Sequence, residues 1–175
     1  AGVVIAILVA ALGVMVAVQS HRTEADIGQF EARVSGLAKS QPVPTWDATR
    51  LSSLPAPVQR YLRFTFVDGV PSYAVVRLSA SGQFRRPQTD GFKATTARQV
   101  IAAGTPALMF SATTPIVPGV WARAYDYFAN GQMEMKAKIL STLTVVDEKE
   151  TPELNQISLR RWLLESALYP AALLP

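Results

Sequence analysis

The chain has 175 residues, 49% hydrophobic and 17% charged, a balance more apolar than that of an ordinary soluble domain. Its net charge of +4 comes from 17 Lys and Arg against 13 Asp and Glu, scattered with no basic run longer than two, which argues against a nucleic-acid groove. With no cysteine and one histidine, thiol nucleophiles, disulfides, iron–sulfur clusters, thiolate zinc sites and any site built on two imidazoles are excluded.

Residues 1–18, AGVVIAILVAALGVMVAV, carry no charge. As a helix they reach about 27 Å, just enough to cross a bilayer. The run is longer than the apolar core of a secretory peptide, and the residues around Ala17–Ser20 fit a cleavage site poorly. The segment 1–19 is therefore expected to be an uncleaved single-pass anchor in the cytoplasmic membrane, with the rest of the chain on the extracytoplasmic side. His21 and Arg22 read as its polar flank. After Ser20 the apolar residues Ile27, Phe30, Val34 and Leu37 recur at helical spacing, which predicts a juxtamembrane helix ended by the prolines of KSQPVPTWD. Asp47 is placed to cap a further short helix. Residues 20–53 thus form a juxtamembrane helix and proline-containing linker, and 54–175 an α+β domain.

Within that domain, LPAPVQRYLRF (54–64) predicts a helix with Pro55 in its first turn and Val58, Tyr61 and Leu62 on its buried face. From Tyr73 the period changes from 3.6 to 2. Val76, Leu78, Ala80 and Phe84 alternate with Arg77, Ser79, Ser81 and Arg85, a strand with one wet face. A second strand near 92–101 and a third in ALMFSA follow, then a proline-bounded loop, TTPIVPG. VWARAYDYFANGQMEMKAKIL predicts a hairpin on the Asn130-Gly131 pair, in which Met133, Met135, Ala137 and Ile139 alternate with Glu134, Lys136 and Lys138. The sum is an antiparallel meander of about five strands, a curved sheet or half-barrel, closed by VVDEKETPE and packed on a last helix beginning at Glu153. That helix carries two apolar stripes, Leu154, Ile157, Leu164 and Leu168 on one side and Leu159, Trp162, Leu163 and Ala167 on another. Only Ser158, Arg161 and Glu165 form a polar strip. Since a meander on one side covers one stripe, the domain is expected to continue past Pro175 with further strands over the second.

Leu54-Pro55, Pro57-Val58 and Arg60-Tyr61-Leu62, then Gly82 with Phe84-Arg85, then Arg123, Asp126, Gly131 and Met133, and finally Arg161, Leu163, Glu165, Tyr169-Pro170 and Ala172-Leu173 carry a resemblance. Together they resemble the motifs LPxPVxRYL, GxFR, RxxDxYxxGxGxM and LxRYLxExxWxPxAL of an uncharacterised bacterial family, known as a domain of unknown function whose members commonly have an N-terminal membrane helix. Two departures are the single Gly131-Gln132 before Met133 and Tyr169 in place of the family's tryptophan. The resemblance carries over no catalytic residue. A looser similarity, of pattern only, is to the half-barrel of periplasmic lipoprotein carriers.

Arg161 and Glu165 stand four apart on one helix face, fit either for a surface ion pair or for gripping an anionic head group. Trp121, Arg123, Tyr125 and Tyr127 alternate onto one strand face, as packing or as a ligand platform. Asp126 falls on the opposite, more apolar face among Ala122, Ala124 and Phe128, where it needs a partner such as one of the sheet's arginines. The leading expectation is a membrane-held domain that binds an apolar or lipid-like molecule, with Trp121, Tyr125, Tyr127, Arg161, Trp162 and Glu165 as ligand-contacting residues. No catalytic residue, metal ligand or cofactor is expected, and the partners are the membrane and a lipid or apolar small molecule. A structural or protein-interaction module is the alternative, and a hydrolase or transferase the more distant one, because no nucleophile–base constellation is visible.

Overall fold

The computed structural model describes residues 2–43, 47–67, 69, 73–85, 89 and 91–174. A single helix, α1 (Gly2–Ser40), opens the chain and runs without a break through position 20, where the apolar run gives way to the amphipathic one. The 3-10 turn Ala48–Ser53 follows, its start capped by the Asp47 carboxylate, which accepts from the Thr49 backbone N–H and hydroxyl and is thereby held below the usual carboxylate range. Next comes α2 (Ala56–Thr65), entered through Pro55 with Pro57 in its first turn. Of its three expected inward residues only Leu62 is buried, against Leu51, Phe66 and Ala171, and Val58 and Tyr61 are exposed because α2 packs through a single stripe.

Six strands form one antiparallel sheet in sequence order: β1 (Val75–Phe84), β2 (Lys93–Ala102), β3 (Ala107–Val117), β4 (Val120–Ala129), β5 (Gln132–Ile139) and β6 (Leu143–Lys149). The sheet is open, with β1 and β6 at its edges, and the whole is an α+β fold. The expected loop TTPIVPG is instead the end of β3. Pro115 is accommodated at a shift in register between Pro115 and Val117, where a missing N–H is tolerated.

The sheet carries a helix on each face. On one, Ile27, Phe30, Val34, Leu37 and Ala38 of α1 pack on Val100, Met109, Tyr125 and Tyr127. On the other, α3 (Pro152–Glu165) packs on Ile101, Leu108, Phe128 and Met133 through Leu154 and Trp162, with Tyr169 in the 3-10 turns that follow. Thr151 caps α3 by accepting from Leu154 N–H, and Pro152 takes the first helical position. Alternation assigned the faces correctly. Val76, Leu78, Met133 and Met135 lie on the α3 side, whereas Lys138 points to α1, within 3.3 Å of Thr23. Ala80 and Phe84 share the α3 face but lie beyond the reach of the helix, and both are exposed.

Candidate functional site

Cross-strand register places Leu78, Gln99, Phe110, Asp126 and Met135 in one row on the α3 face. A carboxylate in such a row must be paired or protonated. Its partner comes from the helix: Arg161 Nη1 donates to Asp126 Oδ2 at 3.1 Å and Oδ1 at 3.3 Å. The same guanidinium donates through Nε to Glu165 Oε1 at 2.8 Å, and Glu165 Oε2 accepts from Gln99 Nε2 at 2.6 Å. Its carbon stands 4.5 Å from the centre of the Phe110 ring, so a cation–π contact adds to the pairing. Burial pushes the Asp126 carboxyl up to about 6 despite the opposing pull of Arg161, with Glu165 adding to the rise. Burial first, then Glu165, likewise raises the Tyr169 phenol, which donates to the Trp162 carbonyl. Two carboxylates share one guanidinium, so Arg161 is committed and offers no open anion receptor.

One step along every strand from this row, Ala80, Ala97, Ala112, Ala124 and Ala137 stand opposite one another across five strands. Ala80 is exposed and the other four are half-buried, so the row is only partly covered. Ile157, Arg161, Leu164 and Leu168 share the helix side from which Arg161 reaches Asp126, the side turned toward the alanines. Ile157, Leu164 and Leu168 are exposed there, Leu164 at 80%. The result is a shallow apolar trough with a floor of methyl groups, walled on one side by α3 and open on the other.

The opposite face is charged. Glu24 of α1 lies 2.6 Å from Arg98 and 2.6 Å from Arg123, Glu31 lies 2.9 Å from Arg98, and Tyr125 donates to Asp26 at 3.3 Å. Burial, reinforced by Asp26, raises the Tyr125 phenol strongly. Arg33 sits 4.2 Å from the Tyr127 ring centre, itself stacked on Phe30 at 4.9 Å. These contacts fix residues 23–38 of α1 to the sheet, so the domain and its N-terminal helix share one rigid element. A cavity of about 220 Å³ beside Arg98 and Arg123 is lined by these two and by Thr96, Ala97, Ser111 and Thr113.

The six expected contact residues therefore fall in three places. Tyr125 and Tyr127 are buried beneath α1. Trp121, half-buried, lines a cleft of about 430 Å³ at the β3–β4 turn together with Lys93, Ile116 and Val117. Arg161, Trp162 and Glu165 lie on α3, where only Arg161 and Glu165 touch, and Trp162 is buried against Tyr169 and donates to the Ala102 carbonyl. Sequence reasoning missed Gln99, Phe110 and the alanine row. Each alanine sits two positions from a row member in its own strand, a signal visible only once the strands are aligned. Among the described residues no group of three or more His, Asp or Glu is placed to hold a metal ion.

Residues 52–175 match the family model described as Family of unknown function (DUF6920), over the domain that holds Asp126, the alanine row and Arg161. No curated protein and no solved structure matches the chain.

Proposed function

The chain belongs to this family of unknown function, and we propose that its α+β domain is held at a membrane by α1, on the extracytoplasmic side, and takes an acyl chain or similar apolar ligand along the alanine row. The apolar half of α1 is long enough to span a bilayer, and none of it is buried in the domain. The alanine row is the observation that carries the ligand reading. Five small side chains in register leave a continuous apolar strip that is only partly covered, beside leucines that burial has left unused. A flat strip suits an extended hydrocarbon chain, with contact made by dispersion and the hydrophobic effect. Arg161, already neutralised, favours a neutral head group over an anionic one.

The test is native mass spectrometry of the full chain extracted in detergent, with Ala112→Trp as the blocking variant. Ala112 is half-buried, so an indole there fills the trough without entering the core. The wild type should retain a lipid-sized adduct and the variant should lose it at unchanged melting temperature. Bare protein in both cases overturns the ligand reading and leaves a protein partner as the occupant of the exposed α3 leucines.

A further inference from the structure

The contacts between α1 and the sheet fix which end of the domain lies next to the apolar span. Along β4, Arg123 meets Glu24 and Tyr127 meets Phe30, so four residues of strand advance with six of helix, in the same direction. Toward the span, Val117 lies four residues beyond Thr113, the partner of Arg123, which brings it to about the level of Val18 at this ratio. Arg98, held between Glu24 and Glu31, brings Phe92 to a similar level six residues on. Lys138 meets Thr23, and the β5–β6 turn begins two residues later. Phe92 at the head of β2 and the β3–β4 and β5–β6 turns therefore all lie near the level at which the apolar run of α1 stops.

This end of the sheet carries apolar side chains that the domain does not use. Phe92 is 64% exposed, Leu143 60% and Val117 54%. Arg85 and Lys93 flank them, both exposed, with the Arg85 guanidinium 5.9 Å from the Phe92 ring centre. Aromatic and aliphatic tips fringed by Lys and Arg are the composition of a surface seated at the boundary between hydrocarbon and head groups. The opposite end of the sheet turns instead through Gly104–Pro106 and Asn130-Gly131.

We propose that Phe92, Val117 and Leu143 insert into the head-group region of the same bilayer that α1 spans, so that the sheet is seated on the membrane at four points, the helix and these three side chains. The proposal rests on the anchor reading of α1 and adds a fixed posture. The alanine row, on the α3 face and on the span side of Asp126, then opens toward the lipid surface. A rigid α1 is what makes the posture possible, since a flexible linker at Ser20 would leave the turns free to swing away.

Because the chain has no cysteine, single nitroxide labels report position without interference. The full chain is reconstituted in phospholipid nanodiscs as Ala10→Cys, Phe92→Cys, Val117→Cys, Leu143→Cys and Gln156→Cys, and each label's accessibility to oxygen and to a water-soluble nickel chelate is compared by power saturation. Ala10 should read as deep in hydrocarbon, the three turn positions as interfacial, and Gln156, exposed on α3, as aqueous. Turn labels as accessible to nickel as Gln156, with Ala10 still deep, overturn the seating and leave the anchor standing. An aqueous Ala10 overturns both.

Discussion

Arg161 of α3 and Asp126 of β4 meet at 3.1 Å across the interface between helix and sheet, and they are 35 residues apart in sequence. The contact fixes α3 over the sheet at the point where the packed half of the face ends and the alanine row begins. It also carries a cost. Taking a carboxylate into that interface removes its hydration, and the guanidinium, shared with Glu165, compensates only in part.

That imbalance predicts an inverted pH dependence. A carboxyl with an ordinary value of 3.8 that is pushed up to about 6 by burial holds its proton more tightly folded than unfolded. At about pH 3 and below it is protonated in both states and contributes no pH dependence. As pH rises from about 4 to about 6 the unfolded chain ionises first, so this group's contribution to stability falls, by on the order of 1–3 kcal/mol, and the loss is complete above pH 6. Denaturant midpoints of the detergent-solubilised chain between pH 4 and 7 should show this downward component, and Asp126→Asn should remove it. Parallel pH profiles for the two proteins would contradict the assignment.

Removing the other partner should be more damaging. Arg161→Leu leaves a buried carboxylate without its cation at neutral pH, a change that costs about 3–5 kcal/mol. Adding Asp126→Leu to it should recover most of that loss, since two apolar residues there would pack between Phe110, Met135 and the helix. A double variant as unstable as the single one would mean that Arg161 stabilises through its contact with Phe110 instead.

The sequence announced much of this arrangement. Strict alternation at Met133–Ile139 and the Asn130-Gly131 pair, with φ of 53° and 75°, made β4 and β5 readable as a hairpin. The need of Asp126 for an arginine was equally plain, yet the donor came from α3 and not from the sheet, because side-chain reach across layers is set by packing. The sixth strand was hidden for a local reason. Ala137 pairs with Val146 and Lys138 with Thr144, so Val145 is an extra residue, and the alternation of β6 loses phase at that point. The alanine row lay beyond reach for a different one, since register between strands is a tertiary property and five scattered alanines have no periodicity of their own.

The two tryptophans nearest the expected site should separate by role. Trp162 is buried among Ile101, Leu108, Phe128 and Tyr169, so Trp162→Ala should lower stability by about 3–5 kcal/mol through a cavity in the core. Trp121 is half-buried beside the cleft at the β3–β4 turn, on the strand face opposite the alanine row, and Trp121→Ala should cost about 1 kcal/mol or less and leave retention of a fluorescent fatty acid unchanged. Thermal melts set against binding titrations for both variants decide the matter, and a loss of retention at Trp121 out of proportion to its loss of stability would move the ligand from the alanine row to that cleft.

The turn between β5 and β6 offers a stabilising change. Leu140 and Ser141 both take positive φ, 50° and 58°, the conformation that the other hairpin assigns to Asn130-Gly131. A leucine there holds its backbone in a region that a side chain branched at Cγ rarely adopts, and neither residue signals a turn, which is why the β5–β6 hairpin was not legible. Three contacts hold the loop all the same: Leu140 N–H donates to the Trp121 carbonyl, Thr142 N–H donates to the Ile139 carbonyl, and Ser141 is buried. Replacing the pair by asparagine and glycine, Leu140→Asn with Ser141→Gly, keeps every one of those backbone bonds and relieves the strain. The net gain should be about 1 kcal/mol, read as a rise of a few degrees in melting temperature at unchanged cooperativity. Because Leu143 follows this turn at the end of the sheet next to the apolar span, the nitroxide depth at Leu143→Cys should be unchanged in that background. A loss of stability would show instead that the Ser141 side chain contributes more to the turn than its backbone strain takes away.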